Sequence, residues 1–273
     1  MSYRPPSDTL SPGHRMEDVT PGLRCVAENL ELHTLVRLIG VLDADGIPAV
    51  RSCLVGCLVE QPAALVVDLT DLRTPDPDAL SVFAATAADT AEWPAVALCL
   101  VDPGRRVAEG RSADAEGGTV RVFAALQDAL RGLGPPEATD PRVARAHLRA
   151  ELLPVVGAAR QARELVTEAC GRWELPHLLG PACTVVTELV NNVVVHARTP
   201  MTVRLHLDRD HLHVTVRDAS PQAPRARGPV APTAPGGRGL VMIQAVAARW
   251  GFLPLADGKV VWALLARDQE GSF

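Results

Sequence analysis

The chain has 273 residues, 47% of them apolar, and a net charge of −5, which is length enough for two domains of ordinary size, each with a core to bury. The acidic balance argues against a nucleic-acid-binding surface, which needs a basic face. Lysine occurs once, as Lys259 in Gly258-Lys259-Val260, so neither a Walker A loop nor the strand lysine of a eukaryotic-type protein kinase is present, and any phosphate chemistry falls to arginine, backbone amides and a metal.

Six cysteines (Cys25, Cys53, Cys57, Cys99, Cys170, Cys183) are scattered through apolar surroundings without a Cys-x-x-Cys pair and read as buried thiols. No hydrophobic signal core opens the chain, and no apolar run approaches the roughly 18 residues of a membrane span. The expectation is a cytoplasmic protein with no membrane contact.

Residues 1–24 hold Pro5, Pro6, Pro12, Gly13, Pro21 and Gly22 with few large apolar residues and read as a mobile arm. Over 25–133, strand-like and helix-like segments alternate. Leu35–Ile39 reads as a short strand, Ile47–Leu58 has apolar residues at helical spacing, and Ala64–Leu69 reads as a buried strand. A helix follows over Leu80–Ala88, then strands at Ala95–Val101 and Thr119–Phe123, then a helix to about Leu133. This order predicts an α/β unit, a sheet with helices packed on it. Residues 134–142, Gly-Pro-Pro-Glu-Ala-Thr-Asp-Pro-Arg, read as a linker.

The second part, 143–268, opens with a strand at Ala146–Leu152 and two long helices, about 155–173 and 181–197. Strands follow at Thr202–Leu207 and Leu212–Val216. After a proline-rich stretch, 219–237, comes a helix from about 238 to 249. A closing hairpin, Gly251–Pro254 and Lys259–Leu265, turns at Ala256-Asp257-Gly258. The expected fold is an α+β sandwich with helices on one face of a mixed sheet, followed by a tail, 269–273.

Three patterns in this part carry chemistry. On the helix over 181–197, Thr184, Glu188, Asn192 and His196 recur every four residues, while Cys183, Val186, Val190 and Val194 share another face. A polar stripe of this kind also serves as a plain solvated face. Asp218 ends an apolar strand, where a carboxylate can accept a bond from an exocyclic amine or simply start a turn. Gly236-Gly237-Arg238-Gly239-Leu240 opens an apolar helix; glycines there let backbone amides approach phosphate oxygens, and the helix N-terminus favours negative charge.

Together, Glu188-Leu189-Val190-Asn191-Asn192, Asp218-Ala219-Ser220 and Gly236–Leu240 resemble the N-box, G1-box and G2-box of the GHKL ATPase superfamily. The branch they are most similar to is the anti-sigma-factor serine kinases of actinobacteria, as are Arg249-Trp250-Gly251 and Gly258-Lys259-Val260-Val261-Trp262. The resemblance implies a Bergerat α/β sandwich over 143–268 that binds ATP and Mg²⁺. It implies Glu188 as general base for an attacking serine hydroxyl and Asn192 as the Mg²⁺ ligand. Asp218 would bind adenine and 219–237 would form a lid. Asn191, Asn192, His196, Ser220, Gly237, Arg238, Gly239 and Leu240 would complete the nucleotide contacts. The family often has Asp-x-Gly-x-Gly at the adenine strand; here Ser220 and Gln222 replace both glycines, which implies altered adenine packing and lid motion.

In the first part, Val66-Val67-Asp68-Leu69 through Asp76-Pro77-Asp78-Ala79-Leu80 resembles the anti-sigma-factor antagonist (STAS) signature, in which a serine before a helix is the phosphoacceptor. Asp78 stands at that position and cannot accept phosphate as a serine does. It either presents a partial phosphate mimic, one charge against roughly 1.5–2, or, like Asp76, caps the helix. The combination implies a partner-switching regulator, an ATP-dependent serine/threonine-protein kinase acting on a sigma factor or a STAS-type antagonist, with a homodimer possible. A catalytically inactive nucleotide- or protein-binding scaffold is the alternative. A sensor histidine kinase fragment ranks below both, because no helical hairpin presents an acceptor histidine.

Overall fold

The computed structural model describes residues 15–20, 22–30, 33–107, 120–133, 147–224 and 239–267. The chain divides into two compact units, Met1–Glu137 and Ala138–Phe273. The expected linker 134–142, the tail 269–273 and residues 1–14 of the expected arm lie outside the described residues. Within the remainder, Arg15–Thr20 forms β1, paired antiparallel with β2, Leu23–Leu30. Gly22 lies in a turn between them. An edge strand needs little apolar alternation, so composition alone suggested an arm.

The first unit continues with β3 (His33–Val41), α1 (Ile47–Leu58), β4 (Ala64–Asp68), β5 (Leu72–Arg73), α2 (Ser81–Asp89), β6 (Ala97–Val101), β7 (Val120–Phe123) and α3 (Leu126–Leu133). The sheet order is β1-β2-β3-β4-β6-β7, with β5 beside β3. Pairing is antiparallel from β1 to β3 and parallel from β3 to β7. Parallel neighbours require crossovers; α1 supplies the one from β3 to β4 and α2 the one from β4 to β6. Leu65 and Val67 of β4 pack with Leu54, Leu58 and Phe83 from α1 and α2. Val66, pointing the other way, packs with Ala129 of α3. Burial on both faces explains why β4 reads as a continuous apolar run.

The second unit comprises β8 (His147–Leu152), α4 (Ala158–Arg172), α5 (Leu179–Asn192), β9 (Met201–Leu207), β10 (His211–Asp218), α6 (Gly239–Val246), β11 (Arg249–Leu255) and β12 (Gly258–Ala266). Its sheet runs β11-β12-β10-β9-β8 and every pairing is antiparallel, which corrects the expected mixed sheet. The helix expected to reach 249 stops at Val246, because Arg249 pairs with Leu264 and opens β11.

The core of this unit joins Ala162, Val166 and Ala169 of α4 and Val185, Val186, Leu189 and Val190 of α5 to inward residues of the sheet such as Val203, Val214, Val216 and Ala263. Full burial of a Val or Leu side chain contributes roughly 1.5–3 kcal/mol. That exceeds the few tenths by which valine disfavours a helix, so a valine-rich segment stays helical here. The helical stretch Pro176–Ala197 is also long and apolar enough, by length and composition alone, to cross a membrane, with mean hydropathy 1.5; this differs from the expectation that no run approaches a span. Ala182, Val185, Val186, Leu189 and Val190 within it are buried against the unit's own core, which accounts for its apolarity.

Candidate functional site

Helix α5 offers two flanks. Arg163 Nη1 of α4 donates to Thr187 Oγ1 at 3.2 Å, so the Cys183–Thr187 flank faces α4. At 100° per residue, Glu188 and Asn192 lie one turn apart on the other flank. Both are half-buried and Asn191 is exposed. Neither Glu188 nor Asn192 has a side-chain hydrogen bond or ion pair among the described residues.

Past Asn192 the helix widens into a π-type turn, Val193–Ala197, closed by Arg198 N donating to Val193 O at 2.7 Å. Such turns carry an extra residue. His196 is therefore rotated off the four-residue stripe expected of it, and it is exposed.

Asp218, the last residue of β10, is only 3% exposed. Its partner is the single lysine: Lys259 Nζ donates to Asp218 Oδ1 at 2.8 Å and to the Ser220 carbonyl at 3.1 Å. Ser220 N also donates to Asp218 Oδ1, at 2.8 Å. The pairing comes from sheet register, which sets Asp218 opposite Lys259 on β12 and opposite Met201 on β9. Oδ2 of Asp218 has no partner among the described residues.

The chain leaves β10 pressed against Gly258. That glycine has φ +153°, and a Cβ on it would stand 2.0 Å from Asp218 O and 2.7 Å from Ala219 Cα. The neighbouring hairpin thus supplies a close-approach glycine beside a segment where Ser220 and Gln222 replace the glycines of the resembled motif. Ala219 N donates to Thr199 Oγ1 at 3.1 Å, fixing the same segment from the other side.

Gly239 begins α6, and Leu240, 9% exposed, packs in the core with Ile243, so only its backbone remains for a ligand. Gly237, Arg238 and residues 225–237 of the expected lid lie outside the described residues. A groove of about 320 Å³ beside Asp218 is lined by Glu151, Met201, Thr202, Arg217 and Asp257 among others, and does not include Glu188 or Asn192. In the first unit, Asp76 is the cap: its Oδ1 accepts from Asp78 N at 3.0 Å. Asp78 itself is exposed.

Two features escaped sequence reasoning. One is the Lys259–Asp218 pair, whose members lie 41 residues apart. The other is a histidine cluster on the sheet face turned away from the helices. There the rings of His206 and His213 stand edge to face at 5.3 Å, and His213 Nε2 is 2.6 Å from Asp208 Oδ2. Burial foremost, then the His213 ring, outweigh the Asp208 charge and push His206 down to about 3. Burial alone would raise the Asp208 carboxyl; the hydrogen bond and charge of His213, with the amides of His211 and Asp210, hold it well below the usual carboxylate range. The only signal in the sequence was the near-alternation of His206, His211 and His213. Among the described residues no group of three or more His, Cys, Asp or Glu side chains could hold a metal ion.

Residues 154–263 match the family model described as a histidine kinase-like ATPase domain. The second unit is a histidine kinase-like ATPase domain. An uncharacterized protein of Streptomyces coelicolor is 39% identical over 80 residues, covering 28% of this chain and 76% of that one, and the chain belongs to the same family as that protein. Among solved structures, an anti-sigma factor antagonist from Mycobacterium paratuberculosis aligns at 22% identity and a TM-score of 0.34, covering 41% of this chain and 93% of that one. The RsbU and RsbW domains of a Mycobacterium tuberculosis protein align at 20% identity and a TM-score of 0.34, covering 44% of this chain and 32% of that one.

The residues of the ATPase domain fit an adenine nucleotide with Mg²⁺. Among the described residues, one oxygen of a buried carboxylate has no partner, and the Glu188 and Asn192 side chains have no hydrogen bond or ion pair. Asn192 could hold the metal, Asp218 the base, and the start of α6 the phosphates.

Proposed function

We propose that the chain is a partner-switching regulator whose ATPase domain binds ATP with Mg²⁺ and phosphorylates a serine or threonine on a separate antagonist-type protein. The single observation that carries this reading is Asp218: a buried, ion-paired strand-end carboxylate with one oxygen left to accept from an exocyclic amine. The family of the domain supports it, as does the Glu188–Asn192 stripe.

In this mechanism Glu188 accepts the proton of the acceptor hydroxyl while its oxygen attacks the γ-phosphorus and the bond to the bridging β–γ oxygen breaks. Mg²⁺, when bound, would offset the charge of the phosphates. Asn192 would hold that metal, and Asp218 would accept from the base. The antagonist-like first unit carries Asp78 where an acceptor serine is expected, so the phosphate goes to another chain. The second partner in this reading is a sigma factor.

A scaffold that binds nucleotide without turnover is the second reading. The segment Ala219-Ser220-Pro221-Gln222, which lacks the two motif glycines, favours it. Calorimetry of ATP–Mg²⁺ binding to wild type and Asp218→Asn, with phosphate transfer to a serine-bearing antagonist by wild type and Glu188→Ala, separates the two. Binding with Glu188-dependent transfer supports the kinase, and binding without transfer selects the scaffold. No binding by wild type overturns both.

A further inference from the structure

We propose that Lys259 is the positioning residue of the base pocket, and that a lysine rather than an arginine stands there because it engages only one oxygen of Asp218. The proposal rests on the nucleotide reading above. Twenty-six of the 27 basic residues are arginine, yet the buried partner of Asp218 is the one lysine, with side-chain exposures of 8% and 1% for the two. An ammonium is a compact point charge, whereas a guanidinium is a planar fork able to take both oxygens of a carboxylate. Lys259 Nζ and Ser220 N both donate to Oδ1, at 2.8 Å each. Oδ1 is thereby held by the protein, and Oδ2 is oriented toward whatever donor the ligand brings.

The ion pair also decides which donor suits the site. Lys259 offsets the Asp218 charge, so a neutral amine is a matched partner for Oδ2. The 6-amino group of adenine donates there, while the 6-oxo group of guanine would set an acceptor against a carboxylate, a mismatch that costs affinity. A second bond from Nζ to the Ser220 carbonyl, at 3.1 Å, ties the first residues of the loop to the same lysine. Base recognition and the path of the chain leaving β10 are thus set by one side chain on β12.

The test uses the full chain labelled with ¹⁵N-lysine, whose single side-chain ammonium resonance belongs to Lys259. Titration with ATP–Mg²⁺ is expected to shift that resonance in step with binding measured by calorimetry, and GTP–Mg²⁺ is expected to leave it in place. Lys259→Arg, which keeps the charge and the pair, is expected to bind ATP roughly tenfold or more weakly, the loss of one charge-assisted hydrogen bond, and to lose preference for ATP over GTP. A merely structural lysine would leave that preference unchanged in the arginine variant. ATP binding by Lys259→Arg equal to wild type, or wild-type ATP binding that leaves the lysine resonance unmoved, overturns the assignment of Lys259 alone. Absence of any nucleotide binding by wild type overturns the nucleotide reading with it. Should Lys259→Arg fail to fold, the wild-type titration decides.

Discussion

Each unit places a buried aspartate at the end of a strand, and the two are bonded differently. Asp102 follows β6 in the first unit and is 0% exposed. Arg106 Nε donates to its Oδ1 at 2.9 Å and Val107 N to its Oδ2 at 2.8 Å. The same guanidinium also donates to the carbonyls of Leu69 and Leu72. Both carboxylate oxygens are therefore occupied within the chain, and Asp102 acts as a clamp over the strand ends. Asp218 in the second unit is almost as buried, but both of its donors converge on Oδ1. Burial and an ion pair are common to the two carboxylates; the second oxygen, bonded in Asp102 and without a partner among the described residues in Asp218, distinguishes them.

The largest expected way to disturb this contrast is Lys259→Met. It leaves the Asp218 carboxylate buried and unpaired, which costs about 3–5 kcal/mol; denaturant unfolding of the second unit measures it. Asp102→Ala should cost the first unit about 3 kcal/mol by leaving Arg106 and the Val107 amide without an acceptor, with no change in nucleotide binding by the second. If Asp102→Ala lowers ATP affinity, the clamp and the site are not separate devices.

Gly258→Ala should cost about 2 kcal/mol, because the added Cβ meets backbone at a positive φ, and melting curves would detect it. The pH response is the mildest per step. His206 is held well below its unfolded value, so the unfolded chain takes up the proton first. Its contribution is fully present above pH 6.5 and is lost as pH falls toward about 3, at up to about 1.4 kcal/mol per pH unit. Asp208, also held low, acts in the same direction below the normal carboxylate range. Hydrogen exchange at β9 and β10 amides should show this acid sensitivity, and His206→Phe should blunt it.

Local pattern carried much of the fold. Helix α1 occupies the expected span Ile47–Leu58, because its ends are marked by Pro48 near the start and by the return to the buried run of β4. The strands over 64–68, 97–101 and 120–123 were legible for the same reason: apolar runs bounded by breakers. β1 was not, since an edge strand carries little of that signal. The site was half legible. Glu188 and Asn192 share a flank because helical geometry is local. His196 left that flank because the π-type turn depends on how the last residues of the helix pack and close, which no four-residue period records.

The sequence by itself determined the two-part α/β and α+β order, the polar flank of α5 and the strand-end aspartate, because each is set by residues within one or two turns or strands of one another. It also marked Lys259 as unique without indicating what it does. Only the tertiary structure decided what it pairs with. Antiparallel pairing of β10 with β12 brings position 259 opposite position 218, and Gly258 lets the two backbones approach. The result is a buried carboxylate whose two donors among the described residues meet on one oxygen. A register between strands separated by a helix and a hairpin is fixed by burial of whole faces, not by any local run, so no reading of the chain in order could have shown it.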